Sequence, residues 1–275
     1  MAKNTSPEFV LRPFEGLVGE ADLVAMREVV PAATATARTT AEHGARDITF
    51  TTVLPGAWPS LHRADGAILV ALQTHAGSGD ASRDLAQTIL DTIALEPGTS
   101  LTSTVLPGPG PRLQDILDPT APFEVTVHEG FDYWLDPSAE ITADVRESLA
   151  EANETIIETV KLGSVEHGYW CRMGAREYLR WAMAYDEDTV IDAVARLHAR
   201  RESGFGGTKF LGAFRSSGIV IPVWELPKGS EAEDIEAAAA EFWPTFEAEL
   251  KSTTPLDANA RRARAGIVSR QVTLR

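Results

Sequence analysis

Residues 66–78 read GAILVALQTHAGS and residues 218–230 read GIVIPVWELPKGS, one pattern written twice at an offset of 152. Each copy opens on glycine, runs through Ile, Leu and Val, and closes on Gly-Ser. Within the first, residues 67–73 (AILVALQ) are almost continuously apolar, which predicts a strand covered on both faces; a half-exposed strand would alternate. Working outward, each copy is followed by an apolar helical stripe. Leu85, Ile89, Leu90 and Ile93 match Ala238, Phe242, Trp243 and Phe246 at an offset of 153. Upstream, residues 11–29 align without a gap on residues 179–197 at an offset of 168. There Leu11-Arg12 meets Leu179-Arg180, and Leu23, Met26 and Val29 meet Ile191, Val194 and Leu197.

This pattern predicts an α+β protein of two tandem β-α-β-β-α half-domains related by a pseudo-twofold, with antiparallel or mixed sheets and helices on one face. The first half-domain is expected over residues 9–95, from a strand at 9–14, a helix at 21–30 and strands at 48–54 and 67–73. The Ala/Thr-rich stretch after Pro31 is compatible with another helical turn. Residues 96–111 (EPGTSLTSTVLPGPGP) read as a linker, dense in Pro, Gly, Ser and Thr. The second half-domain is expected over 112–256. A strand at 123–127 with a hairpin partner at 131–135 precedes it, followed by a helix at 143–154 that Thr142 caps. Residues 1–8 form a polar lead and residues 257–275 a basic tail. A sheet with helices on one face leaves an edge and a face open, so the two halves are expected to cover each other, with any binding groove at their seam.

A 275-residue chain that is 44% hydrophobic is sufficient for a real core. No apolar run reaches the length that crosses a bilayer, and residues 1–9 lack the apolar segment of a secretory signal. The only cysteine is Cys171, so an internal disulfide is excluded and a reducing, cytoplasmic setting is expected. The net charge of −15 argues against broad nucleic-acid binding. Five arginines against one acid after residue 256 leave the tail as the exception. Arg261, Arg262, Arg264 and Arg270 are its candidates for an acidic partner such as RNA, set against folding back onto the acidic body. The composition fixes no oligomeric state.

The stretches LRPFEGL, VVPAAT, VLPGAWPSL, GPRLQDIL, APFEVTVHEGFDYW and RRARAGIVSRQVTL, spread over nearly the whole chain, resemble an actinobacterial domain-of-unknown-function family. Its longer members carry an N-terminal SEC-C zinc motif and are often labelled preprotein translocase SecA for that reason. The resemblance implies no activity. This sequence has no cysteine ligands before Phe9 and no GxxxxGK[ST] phosphate loop, so the translocase label does not follow.

Candidate chemistry concentrates at His128, Glu129 and Asp132, where a carboxylate beside aromatic side chains could act as a general acid or base. The alternative is a hairpin turn with Phe131 and Tyr133 on one face and Trp134 on the other. Tyr133, Trp134 and Trp58 are the candidate binding aromatics, although burial of a large indole favours plugging the seam as the role of Trp58. No metal site and no cofactor is expected: the six histidines (His43, His62, His75, His128, His167, His198) show no HxH or HExxH spacing. Cys171 reads as a buried structural residue. The Gly77-Ser78-Gly79 turn opens a helix, but Asp80 follows and would repel an anion. The expected role is a protein- or peptide-binding adaptor, with a hydrolase or transferase built on residues 128–132 as the alternative.

Overall fold

A computed structural model describes residues 9–73, 77–103, 108–270 and 272–273. The chain forms two compact units, Met1–Ile156 and Ile157–Arg275. The division therefore falls after residue 156. The Pro/Gly-rich stretch 96–111, expected as the boundary, lies inside the first unit.

In the first unit α1 (Glu20–Glu28) precedes β1 (Ala33–Arg38), β2 (Asp47–Thr51), β3 (Ser60–His62) and β4 (Ile68–Ala71). Then come α2 (Ala81–Ile93), β5 (Thr99–Leu101), α3 (Leu113–Ile116), β6 (Val125–Val127) and α4 (Ala143–Asn153). The six strands form one sheet in the order β5-β3-β4-β2-β1-β6. Every pair is antiparallel except β2 with β4. The apolar run at 67–73 supplies β4, all of whose residues are buried, as the run predicts for a strand covered on both faces. Leu69 and Ala71 join Leu54 on one face. Asp80 caps α2 by accepting from the Arg83 amide.

Three expectations change. Residues 9–14 form no strand: the chain turns there, Phe14 is fully buried, and Arg12 clasps Glu20 at 2.5 and 3.0 Å. Pro13 withholds a ladder donor, and Gly16 and Gly19 sit at positive φ, so the chain turns into α1. The Ala/Thr stretch is β1, not helix. In ATATAR the buried alanines alternate with threonines, whose β-branched side chains favour extended backbone. Third, β6 pairs with β1, and residues 131–135 form a 3-10 turn in place of its hairpin partner.

The second unit runs β7 (Thr159–Lys161), β8 (Gly168–Met173), β9 (Arg176–Trp181), α5 (Glu187–Ala199), β10 (Lys209–Ser216), β11 (Ile219–Glu225), α6 (Ala232–Leu250), α7 (Ala258–Val268) and β12 (Val272–Thr273). Its sheet order is β12-β10-β11-β9-β8-β7. Pairing is antiparallel apart from β12, which lies parallel to β10. One core joins Trp170, Leu179, Trp181, Val220 and Trp224 of the sheet to Val190, Val194 and Leu197 of α5, Phe242 and Phe246 of α6, and Ile267 of α7. α6 continues through Pro244 as one helix.

The β-α-β-β-α repeat does not hold as an element order, because no strand precedes α1 among the described residues. What the units share is narrower. Each sheet contains a four-strand array built from two hairpins, β3-β4-β2-β1 in one and β10-β11-β9-β8 in the other, and a helix follows each inner strand, β4 or β11. The arrays differ where the hairpins meet: β2 runs parallel to β4, whereas β9 runs antiparallel to β11. α5 connects β9 to β10, while β2 and β3 are joined by a short loop, and that difference in connection reverses the incoming hairpin.

Candidate functional site

The turn at residues 128–135 is anchored group by group to the first unit's sheet. His128 Nε2 lies 2.8 Å from the Thr34 hydroxyl on β1. The Tyr133 hydroxyl is 3.2 Å from Thr52 Oγ1, which itself donates to the Pro31 carbonyl at 2.9 Å. The Trp134 indole N–H donates to the Val53 carbonyl at 2.8 Å, and Arg63 donates to the carbonyls of Tyr133 and Leu135 at 3.0 and 2.8 Å. The 3-10 geometry gathers rings that strand alternation would separate. Phe131 stacks on Trp134 at 4.3 Å, and His128 sits 4.9 Å from Tyr133. Burial pushes the Tyr133 hydroxyl up to about 12, against the hydrogen bonds from Thr52 and Trp134. Burial also lowers the His128 pKa, with the Asp132 charge pulling the other way.

Glu129 and Asp132, the two carboxylates of this segment, are exposed. The structure thus brings His128, Tyr133 and Trp134 together, but as side chains committed to the sheet, and leaves both carboxylates in solvent, without the burial that tunes a general acid. Trp58 packs with Trp134 against Leu54, Leu69 and Ala71, so it contributes to the core of its own unit.

Part of the arginine-rich tail is a packed helix. Asp257 caps α7 by accepting from the Ala260 amide at 2.7 Å, and Ile267 is fully buried. Arg264 reaches Asp192 at 2.7 Å and also bonds Asp188, both on α5. Arg261 and Arg270 donate to the carbonyls of Leu256 and Gly266 at 2.6 and 3.0 Å, and Arg262 bonds Asn259.

The N-terminus of α2 is already served by carboxylates of the chain. Asp80, 2% exposed, binds Arg112 at 2.9 Å, and Asp84 accepts from the Ser78 amide at 2.9 Å. Among the described residues no three His, Cys, Asp or Glu side chains gather as metal ligands; His75 lies outside them. Cys171 is buried, and burial pushes its thiol up against the favourable Arg180 charge.

Residue patterns did not single out a concavity in the second unit. A cavity of about 510 Å³ lies between the turn entering β8, the segment leaving β9 and the outer face of α6. Trp181 and Met183 form its floor, Trp243 and Val165 its walls, and Glu166, His167, Tyr185 and Glu247 its rim. The turn is firmly built. Glu236 accepts from the amides of Gly163 and Ser164, both at 2.8 Å. Burial opposes that carboxylate's charge, yet the hydrogen bonds prevail and hold it below its ordinary range. The Trp181 indole N–H donates to the Glu166 carbonyl at 2.8 Å, and the Ala182 amide to the His167 carbonyl at 3.1 Å. His167 holds φ at 58°, the left-handed region that a β-carbon disfavours, and so turns the chain sharply at the rim.

Sequence periodicity hid this site because Trp181 lies on a strand and Trp243 on the apolar stripe of a separate helix. The available signal was weaker: four of the six tryptophans follow residue 157, and Trp243 stands one position off the buried stripe of Phe242 and Phe246, one turn from Glu247.

The fold and its cavity define an α+β protein of two sheet-and-helix units. The chain belongs to a family of unknown function, DUF5926, whose sequence model matches residues 13–275. No curated protein and no solved structure matches it.

Proposed function

We propose that this protein is a non-catalytic binding module of the cytoplasm that seats a peptide segment of a protein partner in the second-unit cavity. The observation that carries the reading is the cavity itself: about 510 Å³, with an aromatic floor and wall and a polar rim. That volume and that mixture of apolar lining with a few placed polar groups are the properties of binding pockets. The commitment of His128, Tyr133 and Trp134 to structural hydrogen bonds favours binding over the hydrolase or transferase alternative. The resemblance to actinobacterial chains bearing a SEC-C zinc module is in keeping with an adaptor role. The single cysteine fits a reducing compartment, and no described helix is long and apolar enough to cross a membrane.

The test is selection of a displayed random heptapeptide library on the whole chain, counter-selected on a folded Ala184→Trp variant whose indole fills the cavity. Peptides retained by the first and lost on the second are expected. Selection that yields none, or only peptides indifferent to the blocked cavity, overturns the reading.

A further inference from the structure

We infer that the group seated in this cavity is the guanidinium of an arginine side chain, an inference that rests on the peptide-binding reading above. The lining determines the charge. Glu166 and Glu247 stand at the rim, and neither lysine nor arginine lines the cavity. An anion would meet two carboxylates, and a purely aliphatic guest would leave both unused. Neither carboxylate is tightly engaged. Glu166 is 93% exposed, with His167 Nε2 at 3.9 Å, and Glu247 pairs among the described residues with Lys251, itself 67% exposed, at 2.9 Å. A guanidinium that displaced water and Lys251 would gain charge-assisted hydrogen bonds in place of a screened surface pair.

The aromatic lining adds a second attraction for cations. Trp243 is half-buried, Tyr185 is exposed, and both line the cavity. Trp181 lies behind, 5.4 Å from Trp243. Cations are drawn to indole and phenol faces, and a planar guanidinium stacks on them while still forking onto a carboxylate, which a lysine ammonium cannot do. The chain's net charge of −15 steers basic segments toward it.

The test follows the Trp243 indole N–H resonance of the full chain, assigned by its loss in Trp243→Leu, during titration with Ac-Gly-Arg-Gly-amide and with the same tripeptide carrying citrulline. The arginine peptide should move the resonance saturably, and the citrulline peptide should bind about fivefold more weakly or worse. Glu166→Gln combined with Glu247→Gln should shrink that difference, leaving only the aromatic contribution, without lowering Tm. Equal response to the two peptides, or no response to either, overturns the inference. Library peptides that occupy the cavity without needing arginine would sink this inference and leave the binding reading standing. A library with no cavity-dependent peptide sinks both.

Discussion

Arg264 on α7 donates to the Asp192 carboxylate on α5 at 2.7 Å, across the contact that seats the arginine-rich helix on the second unit. Both side chains are about a third exposed, so the pair itself contributes little, on the order of 0.5–1 kcal/mol. Ile267, fully buried three residues further along α7, carries more of the attachment. Urea unfolding should show Ile267→Ala destabilising the protein by roughly 2–4 kcal/mol and Arg264→Ala by under about 1 kcal/mol. A larger effect of Arg264→Ala would place the attachment in charge instead of packing.

Tyr133 titrates in a window of its own. Its folded pKa is raised to about 12, so the folded state keeps the phenolic proton longer than the unfolded chain does. That contribution is complete below about pH 10, the ordinary value, and is lost as pH rises through about 12. Difference absorbance between the wild type and Tyr133→Phe should show this phenolate emerging above pH 11. At neutral pH Tyr133→Phe should cost about 1 kcal/mol for the lost Thr52 contact.

His128 behaves in the opposite sense. Burial lowers its pKa, so the unfolded chain binds its proton more readily. The stabilisation is present above the ordinary histidine value, about 6.5, and falls away as pH drops through the lowered folded value. Asp132→Asn removes the charge that opposes this shift and should lower the His128 midpoint further, as followed by its imidazole Cε1–H resonance. A midpoint that rises would contradict the assigned cause.

Gly19 should tolerate no side chain. It holds φ at 77° at the entrance to α1, and a β-carbon built there would come within 2.1 Å of the Phe123 ring. Backbone strain and the clash act together, so Gly19→Ala should lower stability by roughly 2–4 kcal/mol in urea unfolding. Phe123→Leu in the same background should recover part of the loss by relieving the clash alone.

The parts of the fold legible in sequence are those where one local pattern sets the outcome. The run at 67–73 gave a strand covered on both faces. Ile191, Val194 and Leu197 gave α5, and the apolar stripe through Phe242 and Phe246 gave α6. β1 was missed because ATATAR contains no large apolar side chain; its position in the sheet depends on pairing with β2 and β6, which a local window does not contain. The rings at 131–134 were assigned alternating faces because the sequence shows their spacing and not the 3-10 turn that gathers them. The unit boundary was missed for a related reason. Pro and Gly mark loops, but residues 99–101 of that stretch form β5, which pairs with β3. At the cavity, the pairing of Trp181 with Trp243 exists only after β9 and α6 pack.

Pro244 follows Trp243 directly, inside α6. A proline has no amide hydrogen, so the rung that would tie position 244 back to the carbonyl of Ala240 cannot form. The indole walling the cavity therefore rides on a helical turn with one tether fewer than its neighbours. The buried residues Phe242 and Phe246 anchor α6 in the core on either side of that missing rung.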